Sequence, residues 1–182
     1  PCAVYDETYA VSADADFPWH WHEEIELLYI ADGSMTVQVP GKSFELKAGD
    51  SAFINSGILH YGKTADWCRL CSLVFSPLLI AGTGGSVIDK KYVQPVIHYA
   101  PLDCFFCTQK SGDAAITQCM VAAFNALRDG APGAELTARE NLSHLFFIFA
   151  EKYKDEMKLQ TDEENNDSVR VRKMMAYIQK HL

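Results

Sequence analysis

The stretch that decides the fold is Phe17–Gly33, "FPWHWHEEIELLYIADG". Two histidines, His20 and His22, stand one residue apart, and Glu26 follows inside "IELLYI", which otherwise reads as a buried strand. Were Trp19 to Ile30 one straight strand, the three ionisable groups would share a face, but His20 and Glu26 would lie about 20 Å apart at ~3.3 Å per residue. No single ion could bridge them. A shared site therefore requires a bend near "HEE", after which Glu26 returns on the next strand beside the HxH pair. His60, behind the corner "NSGIL", offers a fourth donor from another strand. Three imidazoles and one carboxylate, with positions left open, suit a divalent transition metal such as Zn, Ni, Fe, Mn or Cu. The alternative is that His20, His22, Glu26 and His60 hydrogen-bond across a barrel mouth or line a small-ligand pocket without an ion.

Outward from that stretch, short strand signals alternate with turn signals as far as Phe75: "IELLYI", "ADG", "SMTVQV", "PG", "KSFEL", "KAGD", "SAFI", "NSG", "ILHYG", "WCRLCSLVF". Such spacing predicts an antiparallel sandwich or barrel. From Pro77 to about Ala100 the pattern is irregular, with "AGTGGS" as an exposed loop. After Gly112 the period becomes helical: Ile116, Cys119, Met120, Ala123, Phe124 and Leu127 define one helix that "RDGAPG" ends. A second helix is expected from about Leu136 to Met157. Its stripe of Leu142, Leu145, Phe146 and Phe149 fits either packing on the barrel or a homodimer seam. "TDEENNDS", residues 161–168, has linker composition, and "SVRVRKMMAYIQKHL" opens a basic helix, read as the start of a further domain or as a frayed terminal helix.

Composition narrows the function. The chain has 182 residues, enough for one domain with a real core plus a small appendage. Its net charge of -8 argues against gripping nucleic acid through a basic face, because affinity for phosphates comes from Lys and Arg. No apolar run reaches the ~20 residues of a membrane span and nothing reads as a signal peptide, so a cytoplasmic setting without membrane contact is expected. Cys68/Cys71 and Cys104/Cys107 each make a CxxC. A zinc ribbon is disfavoured, since both pairs sit in strand-like surroundings where residues three apart point to opposite faces. Reduced thiols packing as small hydrophobes are expected instead. There is no nucleophile with an adjacent base and no phosphate-cradling glycine loop. His98 and His144 stand alone and read as structural. Trp19, Trp21, Tyr29, Phe53 and Tyr61 lie near the ionisable cluster, as packing aromatics or as surfaces for a planar or sugar-like small molecule.

His22 and Glu26, with three residues between them and six more before Gly33, resemble the first cupin motif; "GDSAFINSGILH" resembles the second, with Gly49, Gly57 and His60 in register. Asn55 stands where that motif usually has Pro, and Thr64 where enzyme cupins often have Asn. The opening "HWHEEIELLY", the "KAGDSAFI" segment, "LVFSP", "KYVQPVI", two helices and the closing basic helix resemble, in that order, the sensory half of AraC-type transcriptional regulators. The resemblance implies a mainly β chain with C-terminal α structure: a cupin-type antiparallel β-barrel (double-stranded jelly roll) followed by two helices. It implies a barrel over residues 1–109 that binds a small-molecule effector, a helical dimerisation segment over 110–160, and at 161–182 a linker with the first helix of a helix-turn-helix domain lying beyond Leu182. DNA would be read only through that further domain, and the chain would not be an enzyme. A metal-dependent cupin enzyme, a dioxygenase or isomerase, is the alternative.

Overall fold

The computed structural model describes residues 2–10 and 16–159, together with Met174. Strands β1 (Cys2–Ala10), β2 (Asp16–His20), β3 (Ile25–Val39), β4 (Lys42–Lys47), β5 (Ser51–Ile54), β6 (His60–Lys63) and β7 (Trp67–Phe75) come first. A helical crossover follows, made of α1 (Leu78–Ala81), a π-helical turn at Asp89–Val93, α2 (Gln94–His98) and a 3-10 turn at Ala100–Leu102. Strand β8 (Cys104–Cys107) then precedes α3 (Ala114–Asp129), α4 (Ala134–Lys152) and α5 (Lys154–Leu159). The linker expected at 161–168 and the basic helix expected from Val169 lie outside the described residues.

β3 organises the barrel, because one long strand serves two sheets. Its first half pairs antiparallel with β5 and β7, building the order β1-β7-β3-β5-β8. Its second half pairs with β4 and β6, and β6 carries β2. "ADG", expected to separate two strands, is instead a bulge within one: Ile30 faces Leu70 and Asp32 faces Arg69, with a register shift between. Gly33 follows at a φ of +74°, and a Cβ there would overlap the Trp67 carbonyl oxygen. The extra residue bends β3 from one sheet into the other.

Two cores result. Leu28, Ile30, Met35, Val37, Leu46, Ile54, Cys68 and Leu70 fill the barrel. On the opposite face of the first sheet, Ile25, Leu27, Phe53, Leu73 and Phe75 meet Ile116, Met120 and Phe124 of α3 and Leu142, Leu145, Phe146 and Phe149 of α4. Each such side chain contributes about 1.5–3 kcal/mol. A sheet buried on both faces explains why "IELLYI" and "SAFI" read as nearly continuous apolar runs.

The cysteines obey the same parity. Cys68 and Cys104 belong to the barrel core, Cys71 and Cys107 to the helical side, so the sheet separates the members of each CxxC. Burial pushes the thiol of Cys104 up to about 12 and those of Cys68 and Cys107 up to about 11. They stay protonated and pack as hydrophobes.

Two expectations need correcting. The irregular stretch after Pro77 is largely helical, with Pro95 in the first turn of α2, where its missing N–H costs little. The second long helix stops at Lys152 rather than near Met157; Tyr153 interrupts it before α5 begins.

Candidate ligand and metal site

The bend demanded by strand length is present. β2 ends at His20, the chain bends at Glu23–Glu24, and β3 begins at Ile25. His60 enters from the first position of β6, paired directly with His20 across the strands. As a result His20, His22, Glu26 and His60 place one donor atom each within 4.8 Å of one another.

Hydrogen bonding fixes the ring orientations. His20 Nδ1–H donates to the Pro18 carbonyl at 2.9 Å, His22 Nδ1–H to the Glu24 carbonyl at 3.1 Å, and His60 Nδ1–H to the Ile58 carbonyl at 2.8 Å. A carbonyl oxygen only accepts, so Nδ1 carries the proton in all three rings and Nε2 is the nitrogen left for the cluster. Nε2 of His22 lies 3.3 Å, and that of His60 2.9 Å, from the same Glu26 oxygen, Oε2. A carboxylate also only accepts, so each of these contacts needs a proton or a cation at Nε2.

The electrostatics favour charge on the carboxylate. Burial opposes ionisation of Glu26, but hydrogen bonds from His22, His60 and Ser72 outweigh it and hold the carboxyl well below its usual range. The Glu26 hydrogen bond raises the pKa of His22. Desolvation lowers that of His20, leaving a neutral ring suited to ligation. The geometry fits an ion: donors adjacent on a metal with bonds of about 2.1 Å sit ~3 Å apart, close to the 2.9 and 3.3 Å separations at Glu26.

Two further residues shape the cluster. Ser72, buried on β7, donates its hydroxyl to Glu26 Oε1 at 2.6 Å. Phe17 sets its ring edge-on to His20 and His60, with centroids 5.7 and 6.1 Å away. It reaches them across Gly62, where a Cβ would overlap the Phe17 ring.

An open cavity of about 460 Å³ adjoins the cluster, with Cys2, Tyr5 and Val74 facing His20, His22 and Glu26 across it. That volume suits a small organic ligand. Over residues 8–146 the chain matches the AraC-like ligand binding domain.

The chain belongs to the AraC-like ligand binding domain family.

Within that family the two-sheet topology is the cupin barrel, followed by helices. A similar protein is the uncharacterized HTH-type transcriptional regulator YdeC of Bacillus subtilis (strain 168), 32% identical over 108 residues, which are 58% of this chain and 36% of that protein. The matched part therefore spans about a third of its relative's length. Solved structures with likeness to the chain include a cupin-like protein of Thermotoga maritima, 25% identical with a TM-score of 0.37, covering 41% of this chain and 56% of that one. Another is the polyketide cyclase RemF of Streptomyces resistomycificus, 26% identical with a TM-score of 0.35, covering 40% and 53%.

The AraC-like domain brings the four expected donors together but scatters the expected aromatics. Tyr29 and Phe53 point to the helical core, on the face of the first sheet opposite Glu26. Trp19 stacks on Tyr61 at 5.5 Å between centroids, with half its surface exposed, and neither lines the cavity. Trp21 is half-buried and likewise absent from the lining. Leu142, Leu145, Phe146 and Phe149 are fully buried in the chain's own core, so of the two readings of that stripe they take barrel packing. His98 donates from Nδ1 to the Gln94 carbonyl and is structural. Asn55, in place of the motif's Pro, donates from Nδ2 to the Val96 and Ile97 carbonyls and ties β5 to the helical crossover. Thr64 bonds the Ser34 carbonyl away from the cluster. Ser72 and Phe17 were missed. The signal for Ser72 was a hydroxyl amid the apolar run "CSLVF", a residue that burial obliges to find a partner.

Proposed function

We propose that this chain is the effector-sensing and dimerising part of an AraC-type transcriptional regulator, with the barrel over residues 1–109, the helical segment over 110–160, and from 161 a linker leading into a DNA-binding domain. The observation that carries the reading is the cavity of about 460 Å³ opening onto the His/Glu cluster, in a barrel of the ligand-binding family. A small-molecule effector would bind there and bias the placement of two DNA-binding halves through its different affinity for two dimer geometries. The setting would be the cytoplasm; among the described residues no helix is long and apolar enough to cross a membrane.

His20, His22, Glu26 and His60 would hold a divalent transition ion such as Zn, Ni, Fe or Mn. A bound ion would act as a Lewis acid that anchors an oxygen donor of the effector. The protein's own groups hold the three rings by their Nδ1–H bonds and keep the carboxylate charged.

The test is a thermal-shift screen of Co²⁺, Zn²⁺ and a panel of sugars, phenols and keto acids, repeated on His60→Ala. Stabilisation by a member of the panel that disappears in His60→Ala, with the dimer retained by light scattering, supports the sensor. The open cavity beside a near-complete donor set also favours a second reading, a metal-dependent cupin enzyme. Chelator-sensitive turnover of a panel member would establish that reading in place of the first.

A further inference from the structure

Resting on the reading that the four donors hold a divalent ion, we propose that Ser72 is a positioning residue that makes Glu26 a one-oxygen ligand. The two carboxylate oxygens of Glu26 have different surroundings. Oε2 faces Nε2 of His22 and of His60, whereas Oε1 accepts the Ser72 hydroxyl at 2.6 Å. Strand register creates the asymmetry. Glu26 lies opposite Val74 and Leu28 opposite Ser72, so Ser72 is the diagonal neighbour of Glu26 on the barrel side of the sheet.

Ser72 stands out chemically. The barrel-facing row of β7 otherwise consists of Cys68, Leu70 and Val74, and Ser72 is 5% exposed. A buried hydroxyl is costly without a partner, and Glu26 supplies a charged one. Turning the carboxylate to present both oxygens to one ion would strain or break the Ser72 bond to Oε1. Each of the four residues would then offer one donor atom, leaving room beside a bound ion for a ligand from the cavity. Without Ser72, Glu26 would be free to offer both oxygens.

The experiment is a competition titration of Co²⁺ and Zn²⁺ into the metal-free chain, with the Co²⁺ visible absorption spectrum recorded alongside, for the wild type, Ser72→Ala and Ser72→Thr. Second-layer partners of metal ligands typically govern affinity by about 10–100-fold. Ser72→Ala should therefore weaken Co²⁺ binding within that range and alter the spectrum. Ser72→Thr, which keeps the hydroxyl, should restore both. Metal-free melting temperatures of the three chains report folding separately. Wild-type affinity and spectrum in Ser72→Ala would overturn the proposal while leaving the metal reading intact. A wild type that binds neither ion would overturn the metal reading and this inference with it. Equal weakening in Ser72→Thr and Ser72→Ala, with lowered melting temperatures in both, would assign Ser72 to packing and overturn it too.

Discussion

Glycine 62 shows how a position without a side chain can govern a site. The Phe17 ring occupies the space a Cβ would fill, and the same ring supports His20 and His60 edge-on. Gly62→Ala must push Phe17 off both imidazoles. Overpacking of this kind costs about 1–3 kcal/mol, so its urea midpoint should fall and its Co²⁺ affinity with it. Adding Phe17→Leu should return much of the stability, making the pair non-additive; additive losses would mean that the two residues do not meet. The donors themselves were legible in the sequence, because the spacing of His20, His22 and Glu26 demanded a bend that the chain makes. The aromatic neighbours were not. Tyr29 is three residues from Glu26, so the parity that separates the cysteines also sends it to the other face. Phe53 could be placed only through its pairing with Leu27, which local sequence does not reveal.

At the scale of elements, β1 matters most for the cavity, since it contributes Cys2 and Tyr5 to the wall while pairing, among the described residues, with β7 alone. One fastening is the two-pronged ion pair in which Arg69 Nε and Nη2 donate to the Asp6 carboxylate at 2.8 and 2.7 Å. The Arg69 hydrogen bonds lower the Asp6 pKa below its ordinary value. A carboxyl depressed on folding stabilises fully above its unfolded value of about 3.9 and loses that contribution as pH falls through its folded value. Urea midpoints of wild type and Asp6→Asn should therefore differ at pH 7 and converge as the pH is lowered below about 4. Because both partners are substantially solvated, added salt should also narrow the gap. A difference independent of pH would mean that Asp6 acts through something other than its charge. The continuity of β3 through "ADG" was hidden because a bulge and a turn use the same residues, and only the partner strands distinguish them.

For the molecule as a whole, barrel and helices share one core. Phe53 and Phe105 of the sheet meet Phe149 at centroid distances of 5.0 and 5.3 Å, and Phe75 meets Phe146 at 6.5 Å. The helical period in the sequence identified α3 and most of α4, but the two destinations open to an apolar stripe differ only in tertiary structure. The outer side of α4 offers exposed apolar surface to a second copy of the chain. Phe147, half exposed, and Leu136, 72% exposed, lie there eleven residues apart, close to three helical turns and hence on one side. Adjacent residues thus separate folding from assembly. Phe146→Ala should cost about 3–5 kcal/mol in equilibrium denaturation, the usual penalty for emptying a buried aromatic site. Phe147→Glu should leave the denaturation curve of the monomer nearly unchanged and shift the mass measured by light scattering from dimer to monomer. A Phe147→Glu chain that remains dimeric would place the contact elsewhere than on this side of α4. A chain already monomeric as wild type would remove dimerisation from this domain.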